Sequence, residues 1–109
     1  MKLANIPFTV TDWNAVEPTE HKGIEGAAYW RTQHFHDMRV RLVEYTPGYI
    51  ADHWCNKGHI LYVLEGVLET ELMDGRSFTL TPGMSYQVAD DTSPHRSATK
   101  VGAKLFIVD

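Results

Sequence analysis

The sequence predicts an all-β domain, a small antiparallel β-barrel or sandwich, on three observations. Apolar and β-branched residues alternate or run in short blocks, Gly and Pro turn signals fall between the blocks, and helical periodicity is scarce. Short strands of this kind bury their apolar faces by stacking as two sheets or by closing on themselves.

Each element follows in order. Residues 12–17 read as one helical turn, capped by Thr11 or Asp12 and stopped by Pro18. Residues 18–26 read as loop, and His21 lies in it. Residues 29–36 read as a strand. Residues 39–45 alternate, which puts Arg39 and Arg41 on one face and Val40 and Leu42 on the other. Residues 60–64 are a continuous apolar run, residues 67–73 are β-rich, and residues 84–88 and 104–108 complete the series. Pro47-Gly48, Lys57-Gly58, Glu65-Gly66, Asp74-Gly75 and Pro82-Gly83 separate them as turns, and Asp74-Gly75 is a hairpin signal.

A length of 109 residues is one domain, 1–109, with room for a single core. No apolar run approaches the roughly 20 residues that span a bilayer, and the first residues lack a signal-type apolar stretch. A net charge of −4 with no basic block argues against nucleic acid and against an anionic membrane surface. The single cysteine, Cys55, has no internal disulfide partner, which fits a reducing, cytoplasmic setting.

The most informative segment is 48–66. His53 and Cys55 stand two apart, which on a strand places both on one face. A short turn through Asn56, Lys57 and Gly58 follows, and His59 opens the next strand. Three metal-type donors are thereby aimed at one point, and His95 supplies a fourth.

These residues resemble the first motif of the cupin superfamily, written G-x5-H-x-H, then three or four residues, then E-x6-G. Here Gly48 precedes His53 by one residue fewer, Cys55 stands in place of the second His, His59 in place of Glu, and Gly66 keeps its spacing. Pro82-Gly83 through Val88 and then Pro94-His95 resemble the second motif loosely, without its Pro-x-Gly. The resemblance covers roughly residues 38–109. The stretch Asp52-His53-Trp54-Cys55 also resembles a group of small single-domain cupins named for a DHCW motif, as does the ending 105–109.

The resemblance implies a double-stranded β-helix barrel whose interior metal is held by His53, Cys55, His59 and His95. Cupins ordinarily use three imidazoles and a carboxylate; here a thiolate replaces the carboxylate, so three neutral donors and one anion remain. A thiolate favours a divalent transition metal such as Zn, Fe or Ni over Mn or Mg. Cys55 reads equally as a ligand or as a cavity thiol beside the metal. The family implies oxygenase or isomerase chemistry on a small molecule; the alternative is a non-catalytic metal- or metabolite-binding cupin acting as sensor or carrier. The absence of an acid at position 59 counts against standard dioxygenase chemistry.

Other residues carry weaker readings. Trp54 alternates outward and reads as packing or interface. His34 and His36 repeat an H-x-H pattern with no third donor, so a solvated strand face explains them better. Arg39 and Arg41 read first as solvent or subunit contacts, and as a carboxylate clamp if their face looks into the barrel. Asp90 and Asp91 read as turn formers or as partners that orient an imidazole. Tyr62, Tyr86 and Gln87 are candidates to line the cavity. Residues 1–37 form an N-terminal extension expected to pack on the barrel or a partner subunit. A homodimer is expected, paired through strand edges by the segment around Trp30 and the apolar C-terminal strand.

Overall fold

Alternating burial organises the chain into two facing antiparallel sheets in a computed structural model that describes residues 3–109. The strands are β1 (Thr19–Lys22), β2 (Ala27–Phe35), β3 (Met38–Tyr45), β4 (His59–Gly66), β5 (Leu68–Leu72), β6 (Ser77–Leu80), β7 (Ser85–Val88), β8 (His95–Ala98) and β9 (Ala103–Val108). One sheet has the order β1-β2-β3-β9-β4-β7 and the other β6-β5-β8. The all-β expectation holds, and the form it takes is a two-sheet sandwich.

The core is the inward face of each alternation. Val43 from β3, Leu61 and Val63 from β4, and Leu105 and Ile107 from β9 meet Leu68 and Leu80 of the smaller sheet. Each fully buried aliphatic side chain contributes about 1.5–3 kcal/mol. Register places Leu61 opposite Ile107 and Val43 opposite Leu105, so the three central strands share one apolar layer. Because the side-chain period is two, the same registers fix which polar residues also face inward. His59 points in with Leu61 and Val63, and Arg41 with Val43.

The predicted helical turn is a 3-10 turn, Trp13–Ala15, in which Asp12 caps by accepting from Asn14 N–H. Trp13 packs edge-on against Phe106 on the outer side of β9, and Val16 O accepts from Arg31 Nε. The N-terminal segment thus lies along the larger sheet, and from Thr19 onward it enters that sheet as β1 and β2. Residues 18–26, expected as loop, include β1; its four residues are all exposed, so no apolar alternation marks it.

The Asp74-Gly75 hairpin forms as expected: Gly75 adopts φ 99°, and Leu72 N–H donates to Arg76 O at 2.8 Å. Segment 48–55 is not a regular strand. It runs beside β8 as an irregular edge, joined by Ala51 N–H to Ser97 O and by mutual backbone bonds between Cys55 and His95. No helix among the described residues is long and apolar enough to cross a membrane.

Candidate metal centre

The two sheets deliver three of the four predicted donors to one place. His59 opens β4 on the larger sheet, His95 opens β8 on the smaller one, and Cys55 is tied to His95 by paired backbone bonds of 2.7 and 3.1 Å. Ligand atoms of Cys55, His59 and His95 all lie within 4.8 Å of one another. His59 and His95 are 8% and 3% exposed.

The fourth, His53, stands apart. A bend at Asp52 and His53 breaks the alternation that would have put His53 and Cys55 on one face. The His53 side chain is exposed and its Nδ1 pairs with Asp52 Oδ1 at 2.7 Å. It borders the mouth of the cavity that holds the other three without joining them.

The orientation of each ring follows from its other nitrogen. His95 Nδ1 donates to Ser93 O at 2.9 Å, which leaves Nε2 directed at Cys55 and His59. His59 Nδ1 is buried without a hydrogen-bond partner and faces Asp109 Oδ2 at 3.6 Å. A proton on that nitrogen meets the carboxylate's charge, and His59 Nε2 is then an acceptor. Nε2 of His59 and Nε2 of His95 are 3.0 Å apart. Two lone pairs at that distance repel unless a cation or proton lies between them. Two imidazole nitrogens on one tetrahedral ion at about 2.0–2.1 Å stand roughly 3.3 Å apart, so the spacing fits a shared metal. The hydrogen bond with His95 draws the Cys55 thiol below its usual value and raises His95 in turn, a thiolate–imidazolium pairing in which a metal would take the place of the imidazolium proton. An N, N, S donor set suits a borderline transition metal, and three protein donors leave one position of a tetrahedron open.

Around these donors is a cavity of about 280 Å³. Tyr86 Oη lies 2.9 Å from His59 Nε2, placed to donate to it when no ion takes that lone pair, and burial pushes its hydroxyl pKa far up, so it stays protonated. Tyr86 and His95 also border a second cavity of about 420 Å³ between β6 and β7. Tyr62 is exposed on the outer face and does not line the donor cavity, and Gln87 lines only the 420 Å³ cavity and the outer depression beside Asp37.

Asp109 is the residue the sequence reading missed. Its side chain is fully buried; Arg39 clamps it through Nε and Nη2 at 2.9 and 3.0 Å, and Arg41 adds Nη2 at 2.9 Å. Burial pushes its carboxyl up, but the contact with His59 and the two guanidinium groups outweigh burial and hold it well below the usual range. The signal was available: Ala103, Leu105 and Ile107 point inward, and the period of two carries Asp109 to the same face.

Other expectations resolve plainly. Arg41 is 5% exposed and lines the cavity, against the solvent or subunit reading, because its strand face is the inner one. Trp30 also faces that cavity, where Arg41 lies 4.5 Å above its ring and His21 stacks at 3.7 Å, so it is no edge residue. Asp90 and Asp91 touch neither imidazole. Asp90 Oδ1 accepts from Gly58 N–H at 2.6 Å, and Asp91 takes φ 54°, so both shape the loop. His34 and His36 are exposed, and Trp54 lies under Arg96 at 4.5 Å.

No protein-family model and no curated protein matches the sequence. Solved structures match the fold closely. An RmlC-like cupin from Shewanella frigidimarina has a TM-score of 0.72 at 19% identity, covering 96% of this chain and 92% of that one. A predicted oxalate decarboxylase from Thermotoga maritima gives 0.77 at 13%, covering 92% and 96%. Ectoine synthase from P. lautus gives 0.76 at 18%, covering 93% and 76%.

Proposed function

We propose, from the cupin fold this chain carries, that it is a metal-dependent enzyme acting on a small molecule. Cys55, His59 and His95 hold one divalent transition metal, Zn, Fe or Ni, with an open position facing the 280 Å³ cavity. The observation that carries this reading is the convergence of two buried imidazoles and a thiol of lowered pKa, with all three ligand atoms within 4.8 Å of one another. Among similar folds stand an ectoine synthase and a predicted oxalate decarboxylase, which supports a catalytic use of such a cavity without specifying the reaction.

A metal bound there would supply Lewis acidity toward a substrate oxygen or a bound water. The chain's own residues do the rest. Asp109, locked by Arg39 and Arg41, holds the His59 ring with its protonated nitrogen inward. Tyr86 holds a proton at Oη within the cavity wall, and Leu61 and Ile107 give that wall its apolar part. Oxygenase and isomerase chemistry both fit a site of this kind. The segment Asp52–Cys55 supports placing the chain with the small cupins that share a DHCW motif, and its lone cysteine supports a reducing compartment.

Cobalt substitution tests the open position. Visible bands that shift on adding azide, together with a thiolate charge-transfer band that disappears in Cys55→Ser, support the enzyme reading. Bands indifferent to azide mark a closed site and favour the binding-protein alternative.

A further inference from the structure

The cavity's charge is inverted relative to the molecule. The chain carries a net −4, yet the ionisable lining of the cavity includes Arg39, Arg41, Lys57 and Arg96 against Asp109 as its carboxylate. Arg96 is paired outward with Glu71 at 3.1 Å, and Lys57 lies at the exposed rim. The inner imbalance is between Arg39, Arg41 and Asp109: two guanidinium groups share one buried carboxylate. Arg39 is partly solvated, with its side chain 27% exposed, so the unbalanced charge falls on Arg41, where burial makes it costly unless an anion joins it.

Arg41 marks where the anion belongs. It is 95% buried by its 5% exposure, spends Nη2 on Asp109, and keeps Nε enclosed with no hydrogen-bond partner. A buried donor left unpaired in a native fold calls for a missing partner. The face of Trp30, 4.5 Å from the guanidinium carbon, fixes the group's plane without neutralising it. A metal at Cys55, His59 and His95 would add positive charge to the same cavity, so the demand for an anion holds with or without it. The volume of about 280 Å³ sets the size. At roughly 30 Å³ per water it has room for about nine waters, and so for a molecule of few non-hydrogen atoms.

We propose that the cavity binds a small monocarboxylate, its carboxylate on the guanidinium of Arg41 and its other end directed at the Cys55, His59 and His95 group. The assignment rests on the functional reading above for what lies at the ligand's far end, and on Arg41 alone for its charge. It makes Arg41 a specificity-determining residue. Arg39 retains both of its own bonds to Asp109, so removing Arg41 leaves the carboxylate clamped.

The test is calorimetric titration of acetate, glycolate and benzoate, each against its own amide, with inorganic phosphate as a further anion. It is run on protein as purified and after metal addition, and metal content is measured in parallel, so failure of the metal reading and failure of this one are separable. At least one carboxylate is expected to bind about tenfold or more tightly than its amide, as one charge-assisted hydrogen bond implies. Arg41→Gln is expected to abolish that preference in metal-free and metal-loaded protein alike. Wild-type discrimination needs no variant, so a misfolded Arg41→Gln still leaves a result. Equal binding of acid and amide, no binding of any carboxylate, tighter binding of phosphate, or a preference surviving in folded Arg41→Gln would each overturn the proposal.

Discussion

Gly58 N–H donates to Asp90 Oδ1 at 2.6 Å, and this bond fixes the angle at which His59 enters β4. The approach is close: a Cβ on Gly58 would lie 2.5 Å from Asp90 N and 2.7 Å from Ala89 C, both backbone atoms that cannot rotate away. A glycine is required there because the strand carrying one donor must pass against the loop leading to another.

Gly58→Ala should therefore displace His59 as well as cost stability. The expected outcome is a protein that keeps its strand signal by circular dichroism, melts at lower temperature, and loses most of its bound metal. A variant with full metal content would detach the loop contact from the site.

Asp109→Asn separates charge from shape. The amide preserves size but removes the negative charge that faces His59 Nδ1 at 3.6 Å and pairs with two guanidinium groups. Metal affinity is expected to fall about tenfold, the lower range for losing a group that orients a ligand. Removing one partner of a buried ion pair also destabilises by about 3–5 kcal/mol. Chelator competition and urea denaturation measure the two effects separately.

Much of this fold was legible because its strongest strands are short apolar or alternating blocks set between Gly and Pro turns. Residues in β3 alternate, those in β4 and β9 form short apolar runs rich in β-branched and aromatic residues, and these strands lie within a residue or two of their expected bounds. β1 and β8 escaped notice because Thr19–Lys22 and His95–Ala98 are polar and hold their place by backbone pairing, not by apolar burial. The donors His59, His95 and Cys55 were readable from spacing. His53 was misplaced relative to Cys55 because spacing assumes a straight strand, and Asp52 bonding to His53 makes a bend. The inward turn of Arg41 was open in sequence, since a strand's pattern gives two faces without saying which is buried when both hold mixed residues.

The outer face of the larger sheet bears on assembly. Ile60, Tyr62 and Leu64 are 45%, 44% and 40% exposed, and register sets Tyr62 beside Phe106. β9 lies between β3 and β4, so it has no free edge for the strand pairing the sequence suggested. A homodimer formed through this face is the remaining form of that expectation. Sedimentation should give about twice the 12.4 kDa chain mass for wild type and the single mass for Tyr62→Asp. A monomeric wild type would remove the dimer.

Leu61→Ala tests the shared layer of core and site. Leu61 is 1% exposed, lies opposite Ile107 and lines the donor cavity. A loss of about 2–5 kcal/mol is expected in urea denaturation, the range for emptying a buried leucine site. A loss below 1 kcal/mol would mean that the layer is not packed as described (roughly the surface-substitution range).

Elemental analysis of purified wild-type protein and its His53→Ala, Cys55→Ser, His59→Ala and His95→Ala variants addresses the central claim most directly. Close to one transition-metal ion per chain is expected in wild type and in His53→Ala, with sharp loss in the other three. Equal trace metal in all five proteins would contradict it.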